Sequence, residues 1–402
     1  MQNQIISHSP DLKRLRDEGF DIRINHGHLF VHDIPYVNGN KVIQFGTLIT
    51  VLNRSQSIVE GTTLEIAGKP TTHVAFFTGE LPCYSDGNPI EPLRRGSRTK
   101  IAEGIDVNWA FSIKPEGKVP SDYYHFVTNY VQMMETHAQE IDPDVTARNF
   151  NLVDTEEESV FHYFDTNSSR AEIISISNKL KGHKIGIIGL GGTGSYILDL
   201  VAKTEVAEIH LFDGDDFLQH NAFRAPGAAT KEELSSKQKK TTYYHSIYSK
   251  MRKGIIDHPE YFSSANLDLL NDLDFVFMCF DKGSIKQLIV ERLETLDKSF
   301  IDVGISIESV DHECLIGTMK VVSSKSGCRD FVKTNNRISF VDANDDDLYN
   351  DNIQIAELNS LNACLAVIKW KKYLGFYQDK NHENFTYYSS NDHNFLDNDY
   401  CS

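Results

Sequence analysis

The stretch Lys184–Arg224, KIGIIGLGGTGSYILDLVAKTEVAEIHLFDGDDFLQHNAFR, decides how this chain folds. Ile185, Ile187 and Ile188 form a short apolar run, the kind that fills a parallel strand buried on both faces. Gly189-Leu190-Gly191-Gly192-Thr193-Gly194 follows at once, and Tyr196 to Lys203 then reads as an apolar-periodic helix. A second strand, Ala207 to Phe212, closes on Asp213. Strand, glycine turn, helix, strand and acid in that order make a nucleotide-binding βαβ unit. Gly189, Gly191, Gly192 and Gly194 let backbone N–H groups close on phosphate oxygens, and the helix N-terminus adds partial positive charge. Asp213 is placed to accept the hydroxyls of a ribose. Taken alone, the glycines are also compatible with a tight turn that holds no ligand, and a dehydrogenase would use them for a dinucleotide. The residues beyond Asp213 separate these readings.

Composition sets the outer limits. The chain has 402 residues, long for one domain, so two are expected. Hydrophobic residues make up 40% and charged residues 24%, ordinary for a globular protein. Lys+Arg 40 against Asp+Glu 57 gives a net charge of −17, which disfavours nonspecific binding to nucleic acid or anionic membranes, so neither is expected as a partner. No apolar run reaches the length of a membrane span, and the opening MQNQIISHSPDLKRL lacks the apolar core of a signal peptide. A cytoplasmic location is expected. The six cysteines, at 83, 279, 314, 328, 364 and 401, form no Cys-x-x-Cys pair, which speaks against a tetrahedral zinc site, and a disulfide scaffold is not expected at this size.

Read from its beginning, the chain gives an N-terminal α+β domain over 1–150. Pro10 to Glu18 reads as a helix, Phe20 to Ile34 as a hairpin turning at Asn25–Gly27, and Val42 to Leu52, Thr63 to Ile66 and Thr72 to Phe77 as strands. Residues 85–120 read as loop-rich, and Asp122 to Ile141 as a helix whose apolar stripe is core packing. The boundary falls near 150–165, beside the charge run Glu156–Glu158. The second domain, 165–375, adds strands at Leu273 to Phe280, Phe300 to Ile307 and Leu315 to Val322, and a helix from Ile355 to Leu374. Residues 376–402 read as a polar, acidic, mobile tail.

Downstream of the acid the sequence runs Asp213-Gly214-Asp215-Asp216-Phe217-Leu218-Gln219-His220-Asn221-Ala222-Phe223-Arg224. This resembles the ubiquitin-activating (ThiF/MoeB/HesA) adenylyltransferase family, with its GxGGxG turn, its Asp-x-Asp, and its Asn and Arg at the spacing seen here. The resemblance covers about 165–375. It implies an α/β fold of the doubly wound, Rossmann-like type. It also implies ATP and Mg2+, a homodimer, and adenylation of the C-terminal carboxylate of a small ubiquitin-like or sulfur-carrier protein. The chemistry agrees with the residues. Pyrophosphate is a strongly anionic leaving group, so cations must converge on it. Arg224 suits a phosphate clamp because its planar fork binds phosphate bidentately, and Asn221 can reach a phosphate oxygen without adding charge. The resemblance gives a lysine at the head of the next helix. Lys240 fits by the length of chain after it, Lys237 by its distance from Arg224. It gives Asp281, at the end of Met278-Cys279-Phe280-Asp281, as the magnesium ligand, and Asp215 as a further nucleotide contact. It also draws an arginine in trans from the segment before the glycine strand, where Arg170 stands.

The chain departs from the family at its cysteines. Zinc is not expected, and no cysteine lies in the crossover loop at 329–351, where thioester-forming relatives place theirs; Cys328 is the nearest. The His73-to-Cys83 spacing is similar to that of ubiquitin-conjugating enzymes, and fusions of such a domain to an activating domain occur in bacteria. Their anti-phage conjugation pathways are the setting that this implies. Pro82 and Gly87 would then place Cys83 on an exposed turn as a transfer cysteine. Adenylation of a peptide or a modified nucleoside, and a non-catalytic nucleotide-binding scaffold, remain the competing readings.

Overall fold

The computed structural model describes residues 2–59, 62–93, 99–102, 105–114, 120–153, 155, 159–171, 173–342, 353–391 and 395–400. The chain forms two compact units, Met1–Ser159 with Tyr163–Ala171, and Val160–His162 with Glu172–Ser402. The charge run Glu156–Glu158 lies outside the described residues.

The first unit is built on a five-stranded antiparallel sheet, in the order Ile22–Asn25, His28–Val37, Ile43–Val51, Val74–Thr78, Trp109–Ser112. Its first hairpin turns where expected. His26 and Gly27 both have positive φ, 44° and 72°, the backbone that a tight two-residue hairpin requires. The helix Tyr123–Gln139 starts at Asp122, whose side chain accepts the His125 N–H. Its Phe126, Val127, Tyr130 and Met134 pack with Leu29, Val31, Leu48, Phe77 and Phe111 of the sheet. The segment expected to be loop-rich, 85–120, contains strands at Thr99–Ala102, Ile105–Val107 and Trp109–Ser112. Each is three or four residues long, too short for alternation to register.

The second unit carries the α/β fold expected of it. We number its strands β1 (Lys184–Ile188), β2 (Glu208–Phe212), β3 (Ile255–His258), β4 (Phe275–Met278), β5 (Ser299–Val310), β6 (Cys314–Ser324), β7 (Glu383–Ser389) and β8 (Phe395–Tyr400). Its main helices are α1 (Gly192–Ala202), α2 (Lys240–Tyr248), α3 (Gly283–Thr295) and α4 (Ala356–Tyr373). The sheet runs β3-β2-β1-β4-β5-β6-β7-β8, parallel from β3 to β5 and antiparallel from β5 onward. All four residues of β4 are buried, as a strand covered on both faces demands. Alternation along β1 assigns the two cores. Ile185 and Ile187 join α1 and Trp370 of α4, whereas Ile188 joins Ile289, Val290 and Leu293 of α3.

The described residues after 376 correct the sequence reading of a mobile tail. Two strands, β7 and β8, extend the sheet there. The polar residues that disguise them are themselves paired. Glu383 takes Lys372 at 2.6 Å and Lys369 at 3.5 Å, Thr386 Oγ1 donates to Asp397 at 2.7 Å, and Arg337 Nε donates to Asp399 at 2.6 Å. Phe385 and Tyr388 supply the buried rings.

The glycine-turn helix α1 is anchored at its far end by Arg252, a residue with no solvent exposure. Its guanidinium donates to the Ala202 carbonyl (3.4 Å), which the helix end leaves without a partner, and to the carbonyls of Thr204 (3.0 Å) and Val206 in the connection that follows. Burial pulls this guanidinium down to about 10. An Arg252→Met substitution keeps the stem and strands these carbonyls. It should lower stability by about 2–4 kcal/mol, read as a drop in the urea midpoint. An unchanged midpoint would contradict the anchoring role.

Candidate functional site

The chain leaves β1 toward β2 and β3, then returns to β4 on β1's other side. The C-terminal ends of β1 and β4 therefore part, and the crevice between them is where open α/β sheets bind ligands. A cleft of about 210 Å³ sits there. Its walls are Gly189, Gly191, Gly192 and Thr193 from the turn after β1, Asp213 and Asp215 after β2, and Arg224 and Lys240. Cys279, Phe280 and Asp281 after β4, Val303 to Ile305 of β5, and Gln354 complete them.

The glycines divide by what they face. Gly189 has φ +87°, and a Cβ on it would lie 2.6 Å from the Cys279 carbonyl oxygen. A Cβ on Gly194 would overlap the Gly189 carbonyl oxygen. These two let turn, helix and neighbouring strand cross closely, and Gly194 does not line the cleft. Gly191 has nothing within 4 Å of where its Cβ would be. It caps α1, whose first N–H groups have no partner within the helix and face an anion-binding position.

Asp213 is 7% exposed and already occupied in part. Its Oδ2 accepts the Leu190 N–H at 2.7 Å and its Oδ1 the Asp215 N–H at 2.8 Å, so it sets the shape of both loops. Lys240, 6% exposed, begins α2 and donates to Asp215 Oδ2 at 2.7 Å, with Asp213 Oδ2 3.6 Å away. Asp215 also accepts the Tyr261 hydroxyl. Burial alone would raise the Asp215 carboxyl, but the hydrogen bonds from Lys240 and Tyr261 hold it below its ordinary value. Lys237 is exposed, ends the short helix Lys231–Ser236 with φ 46°, and does not line the cleft. Of the two candidate lysines, Lys240 is the one at the cleft.

Arg224 lines the cleft with its Nε buried and without a hydrogen-bond partner. Burial pulls its guanidinium below the ordinary value, offset in part by Tyr244 and Asp215. Asn221, 3% exposed, turns inward instead. Its Oδ1 accepts the Leu218 N–H at 2.8 Å, and Arg224 N–H donates to the Asn221 carbonyl at 3.1 Å, so it shapes the turn that delivers Arg224. It is not among the residues that line the cleft. Asp281 is exposed and lines the cleft. Among the described residues, no cluster of three or more His, Cys, Asp or Glu side chains forms a preformed metal cage.

The remaining candidates lie elsewhere. Arg170 ends the short helix Thr166–Arg170 of the first unit and is exposed. Cys83, also in the first unit, corrects the expectation of an exposed turn: it is 2% exposed. Its backbone bridges to Val37 and Pro89, and its Sγ donates to the Leu81 carbonyl at 3.3 Å. Burial, with Asp86 and Glu80 nearby, pushes its thiol up, away from the reactive thiolate. His73 bonds Ser112 at 3.0 Å. Cys328 is disulfide-bonded. The crossover loop at 329–351 falls partly outside the described residues. Sequence reading missed Thr193, Tyr261, Gln354 and the Val303–Ile305 wall; the glycine inside the Phe300–Ile307 strand was the one available hint.

Comparison with known proteins gives two family matches. A model described as the ThiF family matches residues 170–397, more than half of the chain. A domain of unknown function (DUF6791) matches residues 10–166. No curated protein matches. Among solved structures, E. coli MccB is 16% identical, covering 56% of this chain and 66% of that one, with a TM-score of 0.42. E. coli MccB solved with ATP is 16% identical, covering 56% and 65%, with a TM-score of 0.41. PaaA is 17% identical, covering 58% and 80%, with a TM-score of 0.42. The chain thus spans about two thirds of the MccB chains. Among the described residues no helix is long and apolar enough to cross a membrane.

The burial of Cys83 has a direct readout. Exposed Cys314 should react quickly with iodoacetamide in the native protein. Cys83 should react at least about tenfold more slowly, because its thiol is shielded from the reagent and burial holds it in the unreactive protonated form. Equal rates, followed by peptide mass spectrometry, would contradict the buried thiol.

Proposed function

The chain belongs to the ThiF family of adenylyltransferases, and from that premise we propose that it activates the C-terminal carboxylate of a small protein or peptide as an acyl-adenylate, using ATP. The finer reading is a ubiquitin-like or sulfur-carrier protein as the substrate. The observation that carries the proposal is Arg224, an arginine in a nucleotide-type cleft with a buried, unpartnered Nε. An orphaned cationic donor of that kind is costly unless an anion completes it.

In the reaction, an oxygen of the substrate carboxylate attacks the α-phosphorus of ATP. The bond from that phosphorus to the bridging β-oxygen breaks, and pyrophosphate leaves with the electron pair. Negative charge grows on the pyrophosphate, so the stabilising groups must face it. Arg224 holds the β- and γ-phosphates. The N-terminus of α1, opened by Gly191, holds the α-phosphate. Lys240 is kept beside the cleft by Asp215 and moves from carboxylate to phosphate as charge develops. Asp213, fixed by its two backbone hydrogen bonds, keeps oxygen lone pairs for the ribose.

Asp281 suits Mg2+. It is an exposed carboxylate at the cleft with no ion pair among the described residues, and this ion takes one or two carboxylates and otherwise binds substrate phosphates. When bound, the ion neutralises phosphate charge. Arg170, exposed and without an ion pair among the described residues, is assigned to a second subunit's site in a homodimer. No transfer step is assigned to Cys83.

ATP–pyrophosphate exchange, measured with a small carrier protein ending in glycine, tests the proposal. Arg224→Ala should lose about 2–4 kcal/mol of transition-state stabilisation, and exchange at the wild-type rate would refute the clamp. Asp281→Asn keeps the shape and removes the charge. Its exchange should collapse at ordinary magnesium concentrations while the thermal midpoint stays put, and unchanged exchange would remove Asp281 from the site.

A further inference from the structure

Helix α4 presses two asparagines into the unit's interior, Asn359 at 1% exposure and Asn362 at 0%. They stand one turn apart on one helix face. Each reaches a different wall of the cleft. Asn359 Oδ1 accepts the Thr193 hydroxyl at 2.9 Å. Asn362 Nδ2 donates to the Gly304 carbonyl at 3.2 Å. Thr193 belongs to the first turn of α1, and Gly304 to β5.

Each asparagine also keeps one polar atom buried and unpartnered, Nδ2 on Asn359 and Oδ1 on Asn362. The first has a definite address. A Cβ built on Gly192 would overlap the Asn359 amide, so Nδ2 lies directly against the backbone of the residue that opens α1. That accounts for the glycine at 192: a neighbouring side chain, rather than a ligand, needs the space. It also places a spare neutral N–H donor behind the helix N-terminus, whose own N–H groups face the cleft. A hydrophobic side chain of that volume would avoid the orphaned Nδ2 but would strip the Thr193 hydroxyl of its acceptor. An anion on the other side of the turn would favour a donor at this position and penalise a carboxylate.

We propose that Asn359 is a positioning residue of the nucleotide site. Its amide fixes the Thr193 hydroxyl and presents donor character, not negative charge, behind the turn that receives the phosphates. Asn362 ties the opposite wall to the same helix. The inference rests on the ATP reading of the cleft and deepens it.

The test measures ATP affinity by calorimetry and the ATP KM and kcat by pyrophosphate exchange, on the full chain. Asn359→Asp keeps the size and the acceptor for Thr193, and replaces Nδ2 with a carboxylate oxygen. It should melt near the wild-type temperature. Its ATP affinity should fall by at least about tenfold, because a charged carboxylate oxygen replaces a neutral N–H donor behind the turn that receives the phosphates, with KM moving more than kcat. It should bind ATP more weakly than Asn359→Ala, the reverse of the order that loss of packing would give. Should the aspartate not fold, Asn359→Ala and Thr193→Val keep the question open to refutation. Their ATP KM effects should be non-additive, because both break one bond. Wild-type affinity in Asn359→Asp, or additive effects in the cycle, would overturn the inference. Absence of ATP binding in the wild-type chain would overturn the ATP reading and this inference together.

Discussion

The second unit depends on one close backbone crossing. The Gly189 carbonyl sits where a side chain on Gly194 would have to go, and Gly189 itself sits where the Cys279 carbonyl allows only hydrogen. Turn, helix and adjacent strand meet there without a Cβ between them. The crossing points the N-terminus of α1 into the crevice beside β4, and both loops after it are hung from it. Asp213 holds one by the Leu190 N–H and the other by the Asp215 N–H. Asp215 in turn holds Lys240. The cationic side of the cleft is thus positioned through one carboxylate, itself 7% exposed.

Much of this was legible because it is local. The apolar run Ile185–Ile188, the glycines, the acid at 213 and the arginine eleven residues later are consecutive punctuation on one βαβ unit. The sequence offered Lys240 by the length of chain after it and Lys237 by its distance from Arg224, and Lys240 is the one that lines the cleft. Distance from Arg224 favoured Lys237, but Lys237 closes a separate short helix in a left-handed conformation, and the helix that faces the cleft starts three residues on. Asn221 shows the limit of motif reading. Its position is as expected, yet its side chain serves the local turn.

What the sequence concealed is what long-range packing decides. Asn359 meets Thr193 across 166 residues, and Tyr261 meets Asp215 across 46. Neither leaves a mark on its own neighbourhood. β7 and β8 were hidden for another reason. Their buried polar residues, Glu383, Asn384 and Thr386, find lysine, serine and aspartate partners on α4, β6 and β8, so a pattern that looks like solvent-facing chain is interior. Cys83 fails in the opposite sense. Proline and glycine announce a turn, but they do not say that its backbone will bridge to Val37 and Pro89 with the side chain buried.

The central claim is that the cleft receives a nucleoside triphosphate with Arg224 on its terminal phosphates. Calorimetric affinities for ATP, ADP, AMP and NAD+, measured on the wild-type chain and on Arg224→Ala, address it most directly. The account predicts affinity falling from ATP through ADP to AMP, NAD+ weaker than ATP, and the gap between ATP and AMP collapsing when Arg224 is removed. NAD+ binding tighter than ATP, or a gap between ATP and AMP that survives without Arg224, would contradict it.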